Sequence, residues 1–221
     1  MKATKIYIVG GDYGYANWMM TGENSLVDSI DHADLVVFTG GEDVSPALYE
    51  QPKHPKTYTN PDRDVQEMKA FDEAFHAGKH MIGICRGSQF LCVMSGGILV
   101  QDQQNPSFFH KIDTYDGKQI EVTSTHHQAQ YPWRLPQHKF KVLGWSKHAS
   151  AYHHGGDGEE LVDARIEGNK EVEIAYYPHT KCLAIQSHPE MVFADYNLKP
   201  RVKQYIDYVR ELLSKHMDNS I

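Results

Sequence analysis

The sequence predicts an open α/β fold: a mostly parallel sheet with helices on both faces. Three observations carry this. Short runs at residues 5–9 (KIYIV), 35–38 (LVVF), 80–85 (HMIGIC) and 182–185 (CLAI) are apolar throughout, as strands buried on both faces are. Segments with helical periodicity fall between them, and strand–helix alternation marks a parallel sheet. Glycine pairs or reactive residues stand where the strands end, and the carboxyl ends of strands are where such sheets place their sites.

The elements follow in order. The run 5–9 ends in Gly10-Gly11, a strand and a turn. Residues 12–24 are rich in Gly, Asn and Tyr and read as a loop. Residues 25–32 read as a helix, with Leu26, Val27 and Ile30 on one face. The second strand, 35–38, stops at Thr39-Gly40-Gly41. Residues 50–61 carry three prolines and are loop. Residues 62–79 read as an amphipathic helix, with Val65, Met68, Phe71 and Phe75 near one face. The third strand runs into Cys85, and a helix over 87–95 closes at Gly96-Gly97. Residues 101–174 mix short alternating segments such as 119–122 with turns such as Asp116-Gly117, and read as several short strands. After the late strand 182–185, residues 201–216 form a terminal helix with Val202, Tyr205, Ile206, Val209, Leu212 and Leu213 on one side. The 221 residues suffice for one core, so a single domain over 1–221 is expected.

Bulk properties exclude some classes. A formal charge of −7 and no basic stripe argue against a nucleic-acid partner. No stretch is long and apolar enough for a membrane span, and the apolar run at 6–9 is too short for a signal core. Three cysteines without framework spacing suggest free thiols and a cytoplasmic setting.

The most informative segment is Gly83-Ile84-Cys85-Arg86-Gly87-Ser88-Gln89. A nucleophile on a tight strand-to-helix turn is strained, and only small neighbours let that turn close. The turn would set the sulfur at a helix N-terminus, where the dipole and free N–H groups favour thiolate. The backbone N–H of Arg86 would point where an oxyanion forms. A buried structural cysteine is the competing reading for any single cysteine. Cys92 falls inside a helix face and Cys182 in a strand, and both read as core. A thiolate enzyme also needs a histidine oriented by a third group. Among 14 histidines, His188 stands straight after a predicted strand in Gln186-Ser187-His188-Pro189-Glu190, with Glu190 close enough to set its tautomer.

Residues 38–49 (FTGGEDVSPALY), Arg63-Asp-x-x-Glu67, 83–89 with Gly96-Gly97 and Gln101-Asp102, 123–128 (TSTHHQ) and 186–190 (QSHPE) together resemble the class I glutamine amidotransferase family. Within it, the γ-glutamyl hydrolase-like branch is the nearest in pattern. The resemblance spans roughly residues 35 to 192 and implies a flavodoxin-like sheet. It implies that Cys85 forms a glutamyl thioester, that His188 moves the proton and that Glu190 holds His188. Backbone N–H groups of Gly41 and Arg86 would form the oxyanion hole. Gln89, His126 and the backbone near Gln128 would hold the glutamyl group. No cofactor and no metal are expected. The implied partners are a small γ-glutamyl substrate and, in the amidotransferase form, a synthetase on a separate chain. The chain departs from longer relatives by having room for only one helix between Gly11 and Leu35, and by a short stretch over 110–122.

Other features carry competing readings. His126-His127 and His153-His154 raise a metal site, but no carboxylate or cysteine stands at ligand spacing in sequence. Gly155-Gly156-Asp157-Gly158 reads as a surface turn before an anion nest. Gly10-Gly11-x-x-Gly14 lacks the full nucleotide fingerprint. Tyr13, Tyr15, Trp18 and Met19-Met20 form either packing beneath a loop or a docking surface or leaving-group pocket. The leading function is hydrolysis of a γ-glutamyl amide. The alternatives are a glutaminase subunit supplying ammonia to a synthetase, a non-catalytic protein on the same fold, and a redox-sensing thiol.

Overall fold

The computed structural model of the chain describes residues 3–103, 108–146, 152–153, 170–194 and 199–221. The first half alternates as the apolar runs require. Strand β1 (Lys5–Ile8) is followed by β2 (Ser25–Leu26), β3 (Leu35–Phe38), helix α1 (Pro61–His76), β4 (His80–Ile84) and helix α2 (Arg86–Met94). Short strands fill the middle: β5 (Ile98–Val100), β6 (Asp102–Gln103), β7 (Phe109–Thr114), β8 (Gln119–Thr123), β9 (Ala129–Tyr131), β10 (Lys141–Ser146) and β11 (Tyr152–His153). The chain then returns through β12 (Glu171–Tyr177) and β13 (Cys182–Ile185) to helices α3 (Pro189–Ala194) and α4 (Lys199–Met217).

The main sheet has the order β2-β1-β3-β4-β13-β12-β10-β7-β8. From β2 to β13 every pairing is parallel, and from β13 to β8 every pairing is antiparallel. Strands β5 and β9 attach beside β12, and β6 pairs with β11 separately. The parallel half is covered on both faces. Ile6, Ile8, Leu35, Val37, Ile82, Ile84, Leu183 and Ile185 pack on one side with Tyr205, Val209 and Leu212 of α4. Val36, Phe38, Met81 and Ala184 pack on the other with Phe71 and Ala74 of α1 and Phe90 and Leu91 of α2. Alternate residues of each strand thus serve opposite layers, which is why these runs show no polar positions.

Two expectations are corrected. The predicted helix over 25–32 is instead the edge strand β2 followed by turns. Ser25 N–H donates to Thr4 O and Val27 N–H to Ile6 O, so the backbone is satisfied by β1. Eight residues with Asp and Ser at their centre nucleate a helix poorly against that ladder. The buried face of α1 is also displaced from its apolar stripe. It consists of Asp64, Glu67, Phe71 and Ala74, whereas Val65 is 66% and Phe75 43% exposed. Carboxylates turn inward because a buried arginine waits for them, as shown below.

The aromatic segment after β1 divides. Trp18 and Met19 are fully buried in the same core as α4, and Arg210 Nε donates to Trp18 O at 2.7 Å. Tyr13 and Met20 are exposed, and Tyr15 is half-buried at the edge of the candidate site. His154 and the glycine run 155–158 lie outside the described residues. Among the described residues no helix is long and apolar enough to cross a membrane.

Candidate active site

Three adjacent parallel strands deliver the candidate residues side by side. Phe38 of β3 pairs with Gly83 of β4, and Ile84 of β4 pairs with Ile185 of β13. Their carboxyl ends therefore present Thr39-Gly40-Gly41, Cys85 and Gln186-Ser187-His188 at neighbouring positions, spaced by the width of a strand.

Cys85 lies between β4 and α2 with φ +52° and ψ −112°, a strained conformation for a side-chain-bearing residue. Its two glycines have specific causes. A Cβ on Gly83 would run into the Gly87 carbonyl, and one on Gly87 into the Phe38 carbonyl. The turn is locked from below, where Ser88 Oγ donates to Cys85 O at 2.6 Å. Cys92 and Cys182 differ in kind. Burial pushes each thiol up to about 12, so both stay protonated and unreactive.

His188 is held at three points. Its N–H donates to Thr123 Oγ1 at 2.9 Å, its Nδ1 pairs with Glu190 Oε1 at 2.6 Å, and Pro189 starts α3. The preceding Ser187 Oγ bonds Tyr205 Oη of α4 at 2.6 Å. His188 Nε2 is buried, and Cys85 is the electrostatic partner of the ring besides Glu190. Burial works against its charge, but Cys85 and then Glu190 outweigh it and hold the imidazole up to about 10. At neutral pH the ring therefore carries a proton next to the sulfur.

Gly41 stands at φ +146°, where a side chain is disfavoured, and a Cβ there would meet the Arg63 guanidinium. A Cβ on Gly40 would meet Tyr15 Oη at 2.5 Å and His188 Cε1 at 3.2 Å, so that glycine lets the loop approach the triad. Tyr15 is pushed up to about 12, first by burial and then by the charges of Glu190 and Cys85. It is a neutral phenol facing the site.

Arg86 contributes more than a backbone N–H. Its side chain is 1% exposed, with Nη2 on Asp64 at 2.6 Å and Nη1 on Glu67. Gln89, His126 and Gln128 are brought together by one carbonyl. Gln89 Nε2 donates to Gln128 O at 3.0 Å and His126 Nδ1 bonds the same oxygen at 2.9 Å. Gln128 Nε2 donates to Thr57 Oγ1 at 3.2 Å. All three are buried, and burial lowers His126, keeping it neutral. His127 turns away and sits between Asp43 (3.2 Å) and Asp102 (3.7 Å). No group of three His, Cys, Asp or Glu side chains among the described residues stands as a metal cage.

Sequence reasoning gave no role to Thr123 or to the Arg63–Glu67 pair, and offered Tyr15 only as one member of a candidate leaving-group pocket. The Arg63/Glu67 spacing of i,i+4 on α1 was the legible signal, since such pairs lie on one helix face.

Comparisons with known proteins bear on the family and the fold. The peptidase C26 family model matches residues 16–190. A Mycobacterium tuberculosis protein named as a candidate glutamine amidotransferase is 33% identical over 174 residues, covering 76% of this chain and 54% of its own length. The glutamine amidotransferase-like protein YvdE of Lactococcus lactis is 36% identical over 169 residues, covering 71% of this chain and 66% of its own. The chain thus spans about half to two thirds of these curated relatives. A glutamine amidotransferase structure from Thermotoga maritima superposes with a TM-score of 0.56 at 14% identity, covering 100% of this chain and 91% of that one. A chain of the PurLQS structure from the same organism gives 0.52 at 17% identity, covering 95% and 100%. These two likenesses establish the shared fold. With a family model covering residues 16–190, most of its length, the chain is a member of the peptidase C26 family.

Proposed function

We propose that the protein hydrolyses a γ-glutamyl amide, glutamine or a γ-glutamyl amine, through a thioester on Cys85. The observation that carries this reading is Cys85 at its strained elbow beside His188, whose Nδ1 is tied to Glu190 at 2.6 Å. Cys85 sulfur attacks the amide carbon, and the carbonyl oxygen takes up negative charge facing the N–H groups of Gly41 and Arg86. The C–N bond breaks as His188 gives its proton to the departing amine. His188, now neutral, takes a proton from water, whose oxygen attacks the thioester. The C–S bond breaks, glutamate leaves, and the Cys85 thiolate is restored beside a His188 that again holds its proton. Glu190 keeps the ring oriented throughout and stabilises its charge. Gln89, His126 and Gln128 line the buried side where the glutamyl group would sit. The three thiols, none in a disulfide, fit a reducing, cytoplasmic setting.

The test is single-turnover trapping by intact mass with glutamine and a panel of γ-glutamyl amines, wild type against Cys85→Ala. A glutamyl adduct on wild type alone is the expected result. An adduct on both proteins, or turnover by Cys85→Ala, would remove Cys85 as nucleophile. The fold shared with a PurLQS chain keeps one second reading in view, a glutaminase working with a separate synthetase. Preference for glutamine over every γ-glutamyl amine in the same panel would favour it.

A further inference from the structure

The two groups proposed to hold the oxyanion belong to different loops, and one carboxylate joins both. Glu67 of α1 takes Arg63 Nε on Oε1 at 2.9 Å and Arg86 on Oε2. It is 3% exposed, and Asp64 supplies the second carboxylate to Arg86. Arg86, Asp64 and Glu67 are buried, while Arg63 reaches from Glu67 toward the surface, so the buried carboxylates are compensated by two guanidiniums.

Arg63 carries the connection onward. Its Nη2 donates to Gly40 O at 2.8 Å, to Thr39 O at 3.2 Å and to Thr39 Oγ1 at 3.1 Å. Its Nη1 meets Glu42 Oε2 at 3.0 Å, so the guanidinium grips the loop on both sides of Gly41. The Gly40 carbonyl and the Gly41 N–H belong to one planar trans peptide and point in opposite directions. Fixing that carbonyl therefore fixes the N–H. A glycine pair has little intrinsic preference between the two orientations of this peptide, so the choice falls to what the carbonyl bonds. The first turn of α1 is itself anchored to the same loop. Asn60 caps it by accepting from Arg63 N–H at 3.3 Å, and Ser45 N–H reaches Asp64 at 3.3 Å.

We infer that Arg63 is the positioning residue of the oxyanion hole, holding the Gly40–Gly41 peptide in one orientation, and that Glu67 couples it to the nucleophile turn through Arg86. This rests on the proposed acyl transfer at Cys85. It means that the hole is set by the chain's own α1, without a partner chain to align it. Arg63 acts through a peptide and touches no reacting atom.

The experiment compares two reactions of Cys85 that differ in one respect. Acylation by 4-nitrophenyl acetate forms a carbon–sulfur bond, places charge on the acetyl oxygen and expels 4-nitrophenolate. Alkylation by iodoacetamide displaces iodide and develops no oxyanion. Wild type, Arg63→Ala and Arg63→Lys are compared, with Cys85→Ala subtracted as background. Arg63→Ala should slow acylation about 10- to 100-fold while alkylation stays within about twofold. Added guanidinium should restore acylation, and Arg63→Lys should show the same selective loss because a point charge lacks the fork. With a γ-glutamyl substrate the loss should appear in kcat and leave KM nearly unchanged. Parallel loss of both reactions, no loss of either, or a wild type that alkylates without acylating would overturn the inference. If the acylation difference holds but no γ-glutamyl amide is cleaved, the substrate reading falls and the positioning role stands.

Discussion

At Cys85 a single backbone angle explains why neighbouring residue types are what they are. The positive φ turns the chain so sharply that Gly83 packs on the Gly87 carbonyl and Gly87 on the Phe38 carbonyl. Side chains at either place would reopen the elbow. The same scale governs the proton. His188 keeps its proton up to about 10 despite burial, because Cys85 and Glu190 flank it. Glu190→Gln removes one of those partners while preserving shape. We expect kcat to fall between about 10²- and 10⁴-fold, and the alkaline limb of the pH–rate profile to move to lower pH. The sign follows from the cause: with less negative charge nearby, His188 loses its proton sooner and cannot supply it to the amine. A limb that stays in place or moves upward would show that Glu190 does not hold the ring's charge.

Helix α1 shows how an element's face is chosen. Its most apolar stripe predicts Val65 and Phe75 inside, but Asp64, Glu67, Phe71 and Ala74 face the core. Arg86, buried by its place after the nucleophile, needs counter-charges more than α1 needs to hide two further apolar side chains. Val65→Lys should therefore change stability by less than about 0.5 kcal/mol. Phe71→Ala should cost about 3–5 kcal/mol, since the ring packs on Phe90 in the α1–α2 layer. Urea unfolding of both variants decides this, and a large loss for Val65→Lys would restore the face predicted from periodicity. Edge strand β2 teaches the same lesson in reverse. A short segment with weak helical periodicity joined the sheet because β1 offered hydrogen bonds along its open side.

Across the whole molecule, the site and the terminal helix are tied through the core. Ser187 meets Tyr205, and α4 closes at its other end with His216 Nε2 on Met81 O at 3.1 Å. Burial, assisted by the charge of His80, lowers His216 to about 3 in the fold, against an ordinary 6.5. The folded ring is neutral where the unfolded one takes up a proton. Its contribution to stability is thus present above pH 6.5 and lost as pH falls toward 3. In His216→Gln, the urea midpoint should fall less steeply over that range than in wild type, although the variant begins lower. Equal slopes for the two proteins would assign acid unfolding to other groups.

The sequence by itself determined the parallel strands, the elbow and its glycines, the His188–Glu190 pair and the family pattern. Each of these is local: an apolar run, a spacing of two, a strand end. It also named Gly41, Arg86, Gln89, His126 and Gln128, which the fold gathers around the ends of β3, β4 and β13. Only the tertiary structure decided the rest. Which face α1 buries, that Arg86 is a buried cation, that Arg63 grips Gly40 and that Tyr15 reaches the site all depend on charges and carbonyls brought together from distant segments. Hydrophobic periodicity reports where apolar surface goes; it has no means of recording a carboxylate that turns inward to meet an arginine nineteen residues further along the chain.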